Sequence, residues 1–386
     1  MSFAGYIWYF LNNINRSLTT GLRAFVQEFE EGKETLSKQA FSQGRKKIKP
    51  EAFRRLMEAM RDTLYSEADY QVWKGMRVTA IDGTRLNLPT SNELKEYYGI
   101  QESSGNQIQA LSSSLYDVLN GITITGEIAP HDANERELAE KHLAELKAHP
   151  APRGEQELVL FDRGYPSAEL IGQLEKKGFK YLMRTTTTFI SGMHIKEKDS
   201  TIMHQFHNMR EKIKLRILKI KLDNGQEEIL ATNLFDESIQ LEDFCALYRL
   251  RWKIETHYDD VKNKLWLEDF ASKTVEGIQQ EYFATLTVAN LIALHIFDCQ
   301  DEVEAQHSKE DNIYCYKSNM NVTIGMLKDE LMNLVTLNHK KSDQRKLYLN
   351  LIHDVSRFVT PVRSGQSKPR KKAHPGAKFS MNNRLP

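Results

Sequence analysis

Apolar and polar positions change period several times along this chain, and each change marks an element. From Thr19 to Glu31, Leu22, Phe25, Val26 and Phe29 fall on one face at helical spacing. Pro50 then opens a second helix, whose apolar face is Phe53, Leu56, Met57 and Met60. Residues 1–70 therefore read as a helical N-terminal region. The pattern turns β-like at Arg77–Ile81 (RVTAI), which stops at Asp82-Gly83 and resumes at Arg85–Leu88, predicting a tight hairpin. Two more strands follow at Gln107–Leu119 and Gly121–Ile128, and a helix at Asn134–Lys147. Glu157–Phe161 (ELVLF) is a buried strand ending at Asp162. Ser167 caps a helix that runs to Lys177 and is stopped by Gly178, and Phe179–Arg184 is a further strand.

Residues 185–238 form a β-rich insertion. Lys212–Leu222 (KIKLRILKIKL) alternates basic and apolar residues with one slip at Ile217-Leu218. Asn224-Gly225 is a hairpin turn, and Glu227–Ala231 returns. The basic face of this hairpin is expected to be solvated, or to lie along a phosphate backbone. From Leu241 to about Val359 the chain is helical again. The fold class is α/β, with strands, helix, strand, helix and strand in the order of a ribonuclease-H-like arrangement. The expected organisation is a helical N-terminal region (1–70), a core of 71–184 and 239–300, the insertion (185–238), a helical C-terminal region (301–362) and a basic tail (363–386).

Composition narrows the function classes. The chain has 386 residues, and its 10 Pro and 20 Gly are too few for collagen-like or low-complexity disorder. Cys245, Cys299 and Cys315 are too scattered for a disulfide framework or a four-cysteine zinc site, which predicts a reducing cytoplasm. The best apolar run, Leu286–Phe297, is interrupted by Asn290 and His295, so a buried helix is expected and no membrane span. The aromatic start, Met1–Ile14, lacks the basic region and cleavage site of a secretory signal. No phosphate-binding Gly-x4-Gly-Lys motif occurs; Ala80 breaks the aspartate-nucleophile phosphatase pattern at Asp82-Gly83-Thr84; His204 and His207 lack further ligands for zinc.

A net charge of +1 conceals two basic blocks. Lys38–Arg61 holds eight basic residues against two acidic, and Arg363–Pro386 holds seven against none. Such blocks predict a polyanionic partner.

The chemistry concentrates in Tyr248–Lys262 (YRLRWKIETHYDDVK). On one continuous helix, Tyr248, Arg251, Glu255 and Lys262 share an arc of about 60°. They offer a carboxylate for a divalent metal beside groups that bind phosphate. A solvated helix with ion pairs is the alternative. Asp82 and Asp162, at strand ends, complete a set of three carboxylates that suits two Mg²⁺ ions in phosphoryl transfer.

These residues resemble the DDE transposases of bacterial insertion sequences, in the group with the Tyr-x2-Arg-x3-Glu-x6-Lys signature. Tyr248, Arg251, Glu255 and Lys262 meet that spacing, and the boxes AIDGTRLNLP and LVLFDRGYPS supply Asp82 and Asp162. The resemblance implies a ribonuclease-H-like catalytic core in which Asp82, Asp162 and Glu255 bind two Mg²⁺ (Mn²⁺ as substitute). Tyr248, Arg251, Trp252 and Lys262 would contact DNA. It further implies transposon-end and target DNA as partners, a homodimer on DNA, and a DNA-associated bacterial protein of the cytoplasm. A nuclease without strand transfer and a non-catalytic DNA-binding relative are the other readings.

Overall fold

The computed structural model describes residues 1–12, 18–29, 36–102, 105–189, 197–207, 210–221, 227–307, 314–335 and 341–362. The Asn224-Gly225 turn and the basic tail from Arg363 lie outside the described residues. In chain order the elements begin with α1 (Phe3–Asn12), α2 (Leu18–Phe29), α3 (Lys38–Arg45) and α4 (Glu51–Glu67). Next come β1 (Met76–Asn87), α5 (Asn92–Tyr98), β2 (Ile100–Gln101), β3 (Gln107–Asp117), β4 (Ile122–Pro130) and α6 (Glu135–Ala148). They are followed by β5 (Gln156–Phe161), α7 (Ala168–Lys177), β6 (Lys180–Thr185), β7 (Asp199–His204), β8 (Ile213–Lys221) and β9 (Glu227–Thr232). The last are α8 (Leu241–Arg249), α9 (Trp252–Asn263), α10 (Val275–His307), β10 (Cys315–Ser318), α11 (Met320–Val335), α12 (Lys341–Ser356) and β11 (Val359–Val362). The chain divides into two compact units, Arg61–Asn87 with Glu96–Asp260, and Met1–Met60 with Leu88–Lys95 and the chain from Val261 on.

The first of these units is a mixed sheet in the order β2-β3-β1-β5-β6-β9-β8-β7, with β4 also paired to β3. β1, β5 and β6 are parallel; the other pairings are antiparallel. Both faces of the sheet are apolar. One packs Ile81, Leu115, Phe161, Met183 and Ile217 with Leu143 of α6 and Ile171 of α7. The other packs Val78, Ala80, Tyr116, Leu160 and Leu218 with Leu247 of α8 and Ile254 of α9.

Two expectations are corrected here, the turn at Asp82-Gly83 and the solvated basic face of β8. Asp82-Gly83 does not turn the chain: β1 runs straight through it, because β3 pairs with it continuously from Thr79↔Asp117 to Asn87↔Gln109. The strands of residues 185–238 extend the central sheet through β6–β9. The middle of β8 is covered on both faces, which accounts for the slip in its alternation: Ile217 enters one cluster and Leu218 the other. Arg216 is therefore not on a solvated basic face. It is buried, pairs with Asp199 at 2.6 Å, and donates to the carbonyls of Asp236 and Ile239.

The other unit is built around α10. Gln280 accepts from Arg45 Nε at 3.0 Å and donates back to the Arg45 carbonyl, and Thr287 donates to the Phe53 carbonyl. Tyr9, Phe10, Phe41 and Phe53 form an edge-to-face aromatic cluster beneath α1, α3 and α4. By length and composition α10 could cross a membrane, with mean hydropathy 1.4 over its best window, yet 67% of that window is buried within the protein.

Candidate active site

Strand geometry sets where the first two carboxylates lie. Side chains alternate along β1, so Asp82 shares the face of Val78 and Ala80, toward α8 and α9. The parallel pairing of β1 with β5 ends at Ala80↔Leu160. β1 continues beyond it, whereas β5 stops at Phe161 and Asp162 follows at once. Both aspartates thus stand where a parallel pair ends, the usual position of a ligand crevice in α/β sheets. Asp82 is held in mid-strand, not at a strand end, and its carboxylate accepts from the Gly83 N–H at 2.9 Å.

The third carboxylate comes from α9. Tyr248–Lys262 is not one continuous helix: α8 ends at Arg249 and α9 begins at Trp252. Across the junction the backbone bonds are three residues apart, from Leu250 N–H to Leu247, Arg251 to Tyr248, Lys253 to Leu250 and Ile254 to Arg251. This tighter winding rotates the residues after it relative to a uniform helix. The signature residues still converge, but on two different aspartates. The Tyr248 hydroxyl lies 3.5 Å from Asp162 Oδ1. Arg251 donates to Glu255 Oε1 at 2.7 Å and lies 3.5 Å from Asp82 Oδ2. One turn beyond Glu255, the Tyr258 hydroxyl donates to the Asp82 carbonyl at 2.8 Å.

Arg251 is 3% exposed, and its guanidinium stands 5.9 Å from the Tyr248 ring and 5.2 Å from the Trp252 ring. Burial works against its charge, but Tyr248, Glu255 and Asp162 outweigh that and raise its pKa. Burial raises the Asp82 pKa to about 6; the Gly83 N–H and Arg251 oppose the rise, while the charges of Glu255 and Asp162 add to it. Burial likewise raises the Tyr248 pKa, so this hydroxyl stays protonated at neutral pH. Among the described residues no three His, Cys, Asp or Glu side chains are grouped closely enough to hold a metal ion as they stand. Arg251 is the cation that joins Asp82 to Glu255.

The transposase DDE domain family matches residues 73–291, more than half of the chain and a span that contains Asp82, Asp162, Tyr248, Arg251 and Glu255. The chain belongs to the transposase DDE-domain family. The InsZ protein of Escherichia coli (strain K12), which carries a transposase name, is 29% identical over 110 residues. That match takes in 28% of this chain and 34% of InsZ, so the chain spans about a third of that relative. A solved structure of piggyBac transposase in a synaptic complex with hairpin DNA aligns with a TM-score of 0.43 at 12% identity, over 90% of this chain and 75% of that one.

In this DDE domain the structure brings together Asp82, Asp162, Tyr248, Arg251 and Glu255. Trp252 is 53% exposed beside Arg251. Lys262 belongs to the other compact unit, in the last turn of α9, with its ammonium 3.9 Å from Glu268. Three neighbours escaped the sequence reading. Arg184, next to last in β6, lies on the face of Leu182, pairs with Glu228 at 3.2 Å and influences Tyr248. Tyr258 sits three residues after Glu255, a helical spacing that could have singled it out. Ser114 lies opposite Asp82 in the β1–β3 ladder, a relation only the register reveals.

Proposed function

We propose that this chain is the DNA transposase of an insertion sequence, cleaving at transposon ends and joining the freed 3′-hydroxyl to target DNA. The observation that carries this reading is the linkage of Asp82, Asp162 and Glu255, from three separate elements, through Arg251 and Tyr248. We read β4-β3-β1-β5-β6 as a ribonuclease-H-like core; its support is three antiparallel strands followed by two strands parallel to the first.

The donor set fits Mg²⁺, with Mn²⁺ as substitute. Carboxylate oxygens are the hard ligands that this ion prefers, and the buried Asp82 carboxylate feels the charges of Glu255 and Asp162 as well as that of Arg251. Asp82, Asp162 and Glu255 would hold two ions, which when bound supply Lewis-acid activation of an attacking oxygen and of the leaving oxygen. Arg251, already charged and desolvated, offers a fork matched to a phosphate as well as to its carboxylates. Protonated Tyr248 donates to Asp162 or to a phosphate oxygen. Lys262 would add phosphate contact, and exposed Trp252 a stacking surface for a base. The partners under this reading are transposon-end DNA and target DNA, engaged by a homodimer.

Purified chain and duplexes carrying the inverted repeats that flank its gene provide the test. Asp82→Ala, Asp162→Ala and Glu255→Ala should each abolish Mg²⁺-dependent cleavage while leaving end binding. A variant that keeps more than a few per cent of wild-type cleavage, a rough threshold for a metal ligand, leaves the site. Cleavage without joining to a target plasmid would make the protein a nuclease instead.

A further inference from the structure

Two adjacent serines on β3, Ser113 and Ser114, are treated differently by the fold. Ser113 faces α6, where its hydroxyl is 3.0 Å from His142 Nε2, and His142 Nδ1 is 2.6 Å from the Thr125 hydroxyl. Ser114 points to the opposite face, the one shared by Tyr116 two residues on. Its Cα partner across the ladder is Asp82. Directly opposed residues in an antiparallel pair lie on the same face with Cβ atoms about 4.5–5.5 Å apart, so the hydroxyl and the carboxylate are side by side.

Ser114 is fully buried, and its Oγ has no hydrogen-bond partner among the described residues. A buried hydroxyl without a partner weakens a fold, and alanine at this position would avoid that cost. Such a group calls for a particular explanation, for instance a water or ion that completes it. A second orphan borders the same carboxylate. Arg251 Nε is also buried and without a partner, although the same guanidinium reaches Asp82 and Glu255 through its other nitrogens. Two unused donors thus flank Asp82, and each lacks an acceptor.

We propose that the Ser114 hydroxyl is a further ligand-binding group of this site, donating to a water or other oxygen ligand carried by a divalent cation at Asp82. The proposal rests on the reading of Asp82 as a metal-binding carboxylate. Ser114 would act as a positioning residue: it orients a ligand of the ion and does not coordinate the ion itself. Partners of this outer kind typically alter metal affinity by about 10–100-fold.

The test compares adjacent serines in the full chain. Mn²⁺ binding is read from the electron paramagnetic resonance signal of the free ion, and thermal melts are run without metal. Ser114→Ala should weaken Mn²⁺ binding by about tenfold while leaving the metal-free Tm unchanged or higher. Ser113→Ala, which loses its bond to His142, should lower the Tm and leave Mn²⁺ binding within about twofold of wild type. If Ser114→Ala also stays within that margin, or if it lowers the metal-free Tm as Ser113→Ala does, the role is overturned. Asp82→Asn separates the two levels. Should it lose Mn²⁺ binding while Ser114→Ala keeps it, only the Ser114 assignment falls. Should Asp82→Asn bind Mn²⁺ as tightly as wild type, the metal-site reading fails and takes the proposal with it.

Discussion

The Arg251 guanidinium separates two carboxylates that would otherwise repel one another in a poorly solvated place. Removing one member of such a set leaves the others uncompensated, which costs about 3–5 kcal/mol when fully buried. Glu255 keeps some solvent, so Arg251→Gln should lower metal-free stability by about 2 kcal/mol, and Mg²⁺ should restore part of the loss. Denaturant unfolding with and without Mg²⁺ measures both. A loss under about 0.5 kcal/mol, the range of ordinary surface changes, would show that the guanidinium is not holding the pair. Exposed Lys253, two residues on, is the control expected to stay in that range when changed to Gln. At this scale the sequence was informative wherever chemistry follows spacing along one segment: Tyr248, Arg251 and Glu255 do meet. It was silent on Ser114 and Arg184, which join the site through strand register and face.

Local signals predicted an element well where nothing outside competed with them. On α7, Ser167 accepts from the Leu170 N–H, and Gly178 closes the helix at φ 76°. At β1 the competition went the other way, since the turn residues Asp82-Gly83 are held extended by nine consecutive pairings with β3. The α8–α9 junction was hidden for a related reason, because its apolar spacing suits either one helix or two. The polar interruptions of α10 are buried as expected: Asn290 donates to the Met57 carbonyl, and His295 lies 3.6 Å from Cys299 Sγ. Burial lowers the His295 pKa to about 4 from the ordinary 6.5. The unfolded chain therefore binds a proton that the folded chain does not between those values. Stability from this residue is complete above about pH 6.5 and is lost as pH falls toward 4, by up to about 3 kcal/mol. His295→Met should flatten the decline of stability between pH 6.5 and 4. An unchanged slope would assign that decline to other groups.

Across the whole molecule, not every basic residue is available to a polyanion. Within Lys38–Arg61 the fold uses Arg45 against Gln280 and Glu281, stacks Arg54 on the Phe283 ring, and buries Arg61 beside Asp62. Lys38, Lys46, Lys47, Lys49 and Arg55 remain exposed. If these contact phosphates, Lys46→Gln with Lys47→Gln should reduce the slope of log affinity against log salt by about 2. Arg45→Gln should instead lower the melting temperature. An unchanged slope in the double variant would exclude both lysines from the DNA interface.

The interleaving of the two units along the chain also bears on how the protein is made. All three carboxylates have been synthesised by Glu255, and every strand of the large sheet by Thr232. The aromatic cluster under α1, α3 and α4 was synthesised much earlier, yet its polar anchors, Gln280 and Thr287, come later still. A nascent chain that has emerged as far as about residue 260 would hold a sheet able to close and a set of sticky N-terminal helices with nothing to close on. Such intermediates are the ones chaperones bind, and the helices nearest the start of this protein are among the last to find their place.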